Sequence, residues 1–218
     1  MRIAAVADVH SPRYLIEFKN ALSECSRPDL VLLAGDMVSY GQYLEYNNVI
    51  EAITSELGND IPIVACFGNE EHGEVRPDIL ALVENRIVFL DESITKIQLN
   101  DSTLGIVGTS TLVSNHEASE TKDIEDIFEM RAEYLSKLLC QAAESSTHSI
   151  LLMHYNPIDE KDSESFSWWI SRAFEEIQPD FIIHGHIHNP INYQLTIGRT
   201  IIINIAFPAR GKITELVI

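Results

Sequence analysis

The chain has 218 residues, 33 acidic and 15 basic, for a formal net charge of −18, and 45% of its residues are apolar. At roughly 100–200 residues per domain, one domain over residues 1–218 with a substantial core is expected, and the apolar content excludes a disordered chain. No apolar run reaches the roughly 18–20 residues of a membrane span, and Met1-Arg2 leads into a strand-like segment instead of a signal peptide, so a cytoplasmic protein is expected. Cys25, Cys66 and Cys140 show no paired short spacing, which argues against a disulfide framework and a thiolate zinc site, and Cys66 reads as core. The acidic charge disfavours extended nucleic acid and anionic membranes as partners, although bound metal ions can reverse the potential inside a single cleft.

Short apolar runs alternate with amphipathic stretches from the start. Residues 3–7 predict a strand, 12–25 a helix and 30–34 a strand; a helix over 42–57, a strand over 61–67, a short helix over 78–84 and a strand over 87–90 continue the rhythm. The strand runs are almost unbroken apolar, which suits strands covered on both faces. Two strands, 97–99 and 104–107, flank Asn100-Asp101-Ser102 as a hairpin. A long helix over 124–143 carries Ile127, Met130, Tyr134, Leu135, Leu138 and Leu139 at three- and four-residue intervals, and the acidic stretch 117–129 solvates its start. A strand over 149–153, a helix over 163–177 and a strand over 181–183 follow, with Trp168 and Trp169 expected to pack rather than to stack on bases. The C-terminal part reads as purely β: strands over 191–197, 200–205 and 212–217, separated by turns at Gly198-Arg199 and 208–211. Without repeat or linker, the chain is expected to form one α/β unit with a mixed sheet system.

The chemistry collects where five of these strands stop. Their ends read Ala7-Asp8-Val9-His10, Ala34-Gly35-Asp36, Phe67-Gly68-Asn69-Glu70, Met153-His154-Tyr155-Asn156 and His184-Gly185-His186-Ile187-His188. Ligands of open α/β sheets gather outside the carboxyl ends of strands, so neighbouring strands bring these groups to one rim. In an extended segment, residues two apart face the same side, which predicts that Asp8 and His10 reach one ion and that His186 and His188 do likewise. Glycines before Asp36, Asn69 and His186 permit tight turns. Oxygen and imidazole donors without thiolate suit manganese, iron, zinc or cobalt.

On these residues the sequence resembles the calcineurin-like metallophosphoesterases, whose ordered signature is D-x-H, G-D, G-N-H-[DE], an isolated H, then G-H-x-H. Asp8-x-His10, Gly35-Asp36, Gly68-Asn69, His154 and Gly185-His186-x-His188 match in that order and span most of the chain. The resemblance implies a four-layer α-β-β-α sandwich with mixed sheets and a two-metal centre, manganese favoured. Asp36 would bridge, Asp8, His10 and His188 would hold one ion, and Asn69, His154 and His186 the other. It also implies that a hydroxide between the ions, not a side chain, is the nucleophile in the in-line hydrolysis of a phosphoester. Two carboxylates against two divalent ions leave a formal surplus of about +2, so the cleft should attract phosphate despite the acidic exterior.

One position departs from the family: the histidine after the asparagine is replaced by Glu70, followed by Glu71 and His72. Glu70 and His72 are therefore the candidate catalytic residues, with His72 a candidate proton donor to the leaving group. His184 could orient a ligand from behind. Tyr155 and Asn156 follow a ligand closely enough to line the cleft, and Arg210 could meet a substrate phosphate. His116 and His148 read as surface or structural, and segments 40–48, 72–77 and 110–121 as the rim that sets specificity. The expected activity is that of a dinuclear, metal-dependent hydrolase acting on a small phosphodiester or phosphomonoester. The alternatives are a scaffold or interaction protein of the same fold, or a nuclease; the oligomeric state is left open.

Overall fold

The computed structural model describes residues 1–99, 102–110, 121–159 and 164–218. In chain order the elements are β1 (Arg2–Val6), α1 (Leu15–Ser23), β2 (Leu30–Ala34), a 3-10 turn (Tyr43–Glu45) leading into α2 (Tyr46–Leu57), β3 (Ile63–Cys66), α3 (Arg76–Val83), β4 (Val88–Phe89), β5 (Ser93–Leu99), β6 (Ser102–Thr109), α4 (Thr121–Ser145), β7 (His148–Met153), α5 (Trp168–Ala173), β8 (Phe181–His184), β9 (Gln194–Ile197), β10 (Thr200–Asn204), α6 (Phe207–Arg210) and β11 (Thr214–Val217). The tip of the predicted hairpin, residues 100–101, His116 and the rim residues 111–120 lie outside the described residues, as does residue 163 at the start of the predicted helix.

Two mixed sheets result. One has the order β11-β1-β2-β3-β4, the other β5-β6-β7-β8-β10-β9. In the first only β11 runs antiparallel, with Ile3 opposite both Leu216 and Leu30, and Ala34 opposite Cys66. In the second the outer strands β5 and β9 are antiparallel and the four between them parallel. Strand alternation explains the unbroken apolar runs. Ile3, Ala5, Leu30, Leu32, Val64 and Cys66 point at the second sheet, where Leu104, Ile106, Ile150, Leu152 and Ile183 meet them. Ala4, Val6, Val31, Leu33 and Ile63 point outward onto Phe18, Leu22, Val49, Ile50, Ile53 and Ile79 of the first helical layer. Val107, Leu151, Ile182 and Ile202 of the second sheet are covered by Ala132, Leu135, Leu139, Trp169 and Ile170. The four layers α-β-β-α follow, each sheet hydrophobic on both faces.

Three predicted elements differ. The helix expected over 163–177 is confined to Trp168–Ala173: Ser167 holds extended backbone (φ −54°, ψ 151°) before it, and at Phe174 the backbone leaves the helical region (φ −98°, ψ 9°). The helix expected from 42 opens as a 3-10 turn and becomes α-helical at Tyr46. The C-terminal part is not purely β, because α6 occupies the turn between β10 and β11; Pro208 suits its first turn, and Gly211 ends it in the left-handed conformation (φ 63°). Trp169 is buried beside Phe128, ring centroids 5.7 Å apart, as a packing residue should be. Cys66 is buried in the core, and all three cysteines are free thiols. No described helix is long and apolar enough to cross a membrane.

Candidate metal centre

The C-terminal ends of β1, β2 and β3 from one sheet and of β7 and β8 from the other meet at one rim. Beyond the strands the backbone stays paired: the Asp8 N–H donates to the Gly35 carbonyl (3.0 Å), that of His10 to Asp36 (3.0 Å) and that of Ser11 to Met37 (2.9 Å). It does so in a conformation the spacing did not suggest. Asp8, His10, Asp36 and His186 all have positive φ (61°, 45°, 52° and 66°), so the expected extended geometry of Asp8-x-His10 is replaced by successive left-handed kinks. For residues with a Cβ such kinks cost on the order of 1 kcal/mol or more each and persist where surrounding contacts over-determine them. Their effect is to aim consecutive side chains into one cleft.

Close approach also explains two of the glycines. Gly68 and Gly185 are not in the left-handed region; a Cβ at Gly68 would stand 2.1 Å from Asp36 Oδ1, and one at Gly185 2.4 Å from Asp8 Oδ2 and 2.5 Å from Ala7 Cβ. The buried Asp8 has no room to yield, so Gly185→Ala is expected to lower stability by about 2 kcal/mol through overpacking. It should also weaken divalent-ion binding. Thermal unfolding with and without manganese checks this, and a variant indistinguishable from wild type in both would show that the contact relaxes freely.

The donors form three overlapping groups whose ligand atoms all lie within 4.8 Å of one another: Asp8, His10 and His188; Asp8, Asp36 and His154; and His10, Asp36 and Glu70. His188 Nε2 is 3.1 Å and His10 Nε2 3.9 Å from Asp8 Oδ1. His154 Nδ1 lies 2.8 Å from the Ala34 carbonyl oxygen and so carries the proton that hydrogen-bonds it. Its Nε2 is thereby turned toward two oxygens, Asn69 Oδ1 at 3.1 Å and Asp36 Oδ2 at 3.4 Å. His186 borders this group, its ring centroid 5.1 Å from that of His154 and its backbone N–H donating to Asp8 Oδ2 (2.9 Å).

Electrostatics at the rim are those of a cation site. Asp8 and Asp36 are buried, yet among the described residues no lysine or arginine forms an ion pair with either; the ion-pair partners they have are imidazoles. Burial opposes charge on His154, and the Asp36 carboxylate outweighs it, raising this imidazole to about 9. Burial pushes His10 and His186 below the ordinary histidine range, while the hydrogen bond to Asp8 raises His188. Buried carboxylates need a compensating charge. The donor set fits divalent ions of the borderline class, with Asp8, His10, Asp36, Asn69, His154, His186 and His188 as the residues that could hold them.

The profile of the calcineurin-like phosphoesterases matches residues 1–190. The chain belongs to that family. No curated protein matches it by sequence. Solved structures share the family's fold at low identity. TT1561 of Thermus thermophilus superposes with a TM-score of 0.65 at 14% identity, covering 98% of this chain and 97% of that one. GAP50, the anchor in the inner membrane complex of Plasmodium, gives 0.63 at 12%, covering 96% and 72%. The NAD nucleotidase NadN of Haemophilus influenzae gives 0.60 at 15%, covering 95% of this chain and 45% of the longer one.

The remaining candidate residues take different places around this centre. Tyr155 is half-buried with its ring 4.6 Å from that of His186, and Asn156 Oδ1 accepts from the Ile158 N–H (3.3 Å). Arg210 donates to the carbonyls of Asn204 (2.6 Å) and Tyr193 (3.2 Å) and lies over the Tyr193 ring. His184 is buried, which pushes it down to about 4, and its Nδ1 is 2.9 Å from the Gly185 carbonyl oxygen next to it. His148 is half-buried at the start of β7. His72 is exposed, its Nε2 against Gly41 in the loop beside the cleft. Glu71 is the residue the sequence reading passed over. Fully buried, its carboxylate accepts from the backbone N–H groups of Asp36 (2.9 Å), Gly68 (2.7 Å) and Met37 (2.7 Å) and from the Tyr46 hydroxyl (2.8 Å). The signal was present, for Glu71 occupies the acidic place that closes G-N-H-[DE].

Proposed function

We propose that residues 1–218 form one phosphoesterase domain that hydrolyses a small phosphodiester or phosphomonoester at a centre of two divalent ions, manganese favoured. The observation that carries this reading is the meeting of two buried aspartates, paired with no lysine or arginine among the described residues, with four imidazoles at the shared rim of the two sheets. When bound, two such ions supply a water of lowered pKa and positive charge for the attacking and leaving oxygens. The chain's own part is orientation: the Ala34 carbonyl fixes the His154 tautomer, the Asp8 carboxylate fixes His188 and the His186 backbone, and Glu71 ties the β2 and β3 loops together. A cavity of about 430 Å³ opens beside His10, His188 and Glu70 and is walled by Arg13, Tyr40 and Gln42, a size suited to a small phosphorylated compound.

Hydrolysis of bis(p-nitrophenyl) phosphate beside p-nitrophenyl phosphate, with manganese and with chelator, tests the proposal. Manganese-dependent turnover of either ester is expected. No turnover with manganese, iron, zinc or cobalt in a protein that binds those ions favours the second reading, an interaction protein. Glu70 at the family's histidine position and the fold shared with an anchor protein speak for that reading. Within the enzyme reading His72 is the proton donor to the leaving group. His72→Ala then steepens the dependence of rate on leaving-group pKa, slowing alkyl esters about 100-fold and p-nitrophenyl esters least; an unchanged dependence removes His72 from the mechanism.

A further inference from the structure

Among the positions of the ordered signature, Glu70 is the one whose chemistry departs from the family pattern. Its backbone is fixed at both ends of the peptide: its N–H donates to Asp36 Oδ1 (2.8 Å), and its carbonyl accepts from the Gly41 N–H (3.0 Å). One carboxylate oxygen, Oε2, accepts from the Tyr40 N–H (2.5 Å). The group offers an oxygen within 4.8 Å of donor atoms of both His10 and Asp36, and no lysine or arginine among the described residues forms an ion pair with it. A carboxylate in that position can ligate an ion through an oxygen lone pair but, ionised, cannot donate a proton to a leaving group as an imidazolium does.

We infer that Glu70 is a metal ligand, joining His10 and Asp36 on the first ion in place of the family's proton-donating histidine. The inference rests on the two-ion reading above. Three carboxylates then face two divalent ions, and the formal surplus falls from about +2 to about +1. A cleft of lower positive charge holds the dianion of a phosphomonoester less strongly, whereas the monoanion of a phosphodiester loses less, so the substituted position tilts this centre toward diesters. The Tyr40-Gly41 clasp sets the carboxylate's direction as outer hydrogen bonds do for metal ligands generally.

Calorimetric titration of the metal-free full chain with manganese tests the assignment. Wild type is expected to take up two ions per chain. Glu70→Gln keeps the acceptor for Tyr40 but lacks the charge, and should weaken one ion by about 100-fold while leaving the other unchanged. Glu70→Asp, one methylene shorter, should lose affinity for the same ion, and the visible absorption of the cobalt-loaded protein should change in both variants because one ion's coordination has changed. Two ions bound by Glu70→Gln as tightly as by wild type would overturn the Glu70 assignment and leave the phosphoesterase reading standing. A wild type that binds fewer than two ions overturns both.

Discussion

His154→Ala is expected to reduce manganese-dependent phosphoester hydrolysis by about a thousandfold or more, because the lowered pKa of the attacking water depends on an intact ion site. The ring is buried at the end of β7 and bridges the two sheets, with Nδ1 held by the Ala34 carbonyl of β2 and Nε2 facing Asn69 and Asp36. Removing it has two separable effects. The buried Ala34 carbonyl loses its donor, which costs about 1–3 kcal/mol of stability. The oxygens of Asp36 and Asn69 lose the nitrogen that completes their ion site, which removes turnover. His154→Asn separates these effects: its amide N–H₂, attached at Cγ as Nδ1 is, can serve the Ala34 carbonyl, so melting should recover toward wild type while activity stays lost. Turnover within tenfold of wild type in His154→Asn would exclude the imidazole as a ligand.

The doubly covered strands and the order of the site were legible in the residues for one physical reason, while the four layers came only with the family resemblance. A strand buried on both faces needs an unbroken apolar run, and the first polar residue after such a run marks where the sheet stops; Leu30–Ala34 followed by Gly35-Asp36 is the clearest instance. What local pattern does not encode is backbone handedness imposed from a distance. Asp8, His10 and His186 read as extended because nothing in their neighbours demands otherwise; their left-handed conformations follow from pairing with the β2 loop and from the Gly185–Asp8 approach across the chain. The same holds for α6, where Pro208 and Gly211 read equally as a turn, and for α5, whose periodicity extended past its ends at Ser167 and Phe174. Glu71 was missed because an acidic residue among others reads as surface; only its donors, three of them long-range (Asp36, Met37, Tyr46) and one local (Gly68), make it core.

Those four donors make Glu71→Ala the substitution expected to destabilise the chain most, by about 4 kcal/mol. Three backbone N–H groups and the buried Tyr46 hydroxyl would be left without a partner at a position water does not reach. Opposing terms exist: burial and the nearby Asp36 charge both raise the Glu71 carboxyl, so its removal relieves some repulsion. The orphaned donors outweigh that relief, at about 1–3 kcal/mol for each of the three backbone N–H groups. At about 2–4 °C per kcal/mol for a chain of this size, the melting temperature should fall by about 10 °C. Glu71→Gln discriminates further. Its oxygen can still accept from Asp36 and Gly68, and the Tyr46 hydroxyl can turn to accept from the new amide, but the Met37 N–H would face another N–H, so a loss of about 2 kcal/mol is expected. Both variants should also bind manganese more weakly, since the carboxylate is what joins the loop of Asp36 to the loop of Asn69. A Glu71→Gln protein that melts and binds manganese as wild type does would show that these loops hold their places without it.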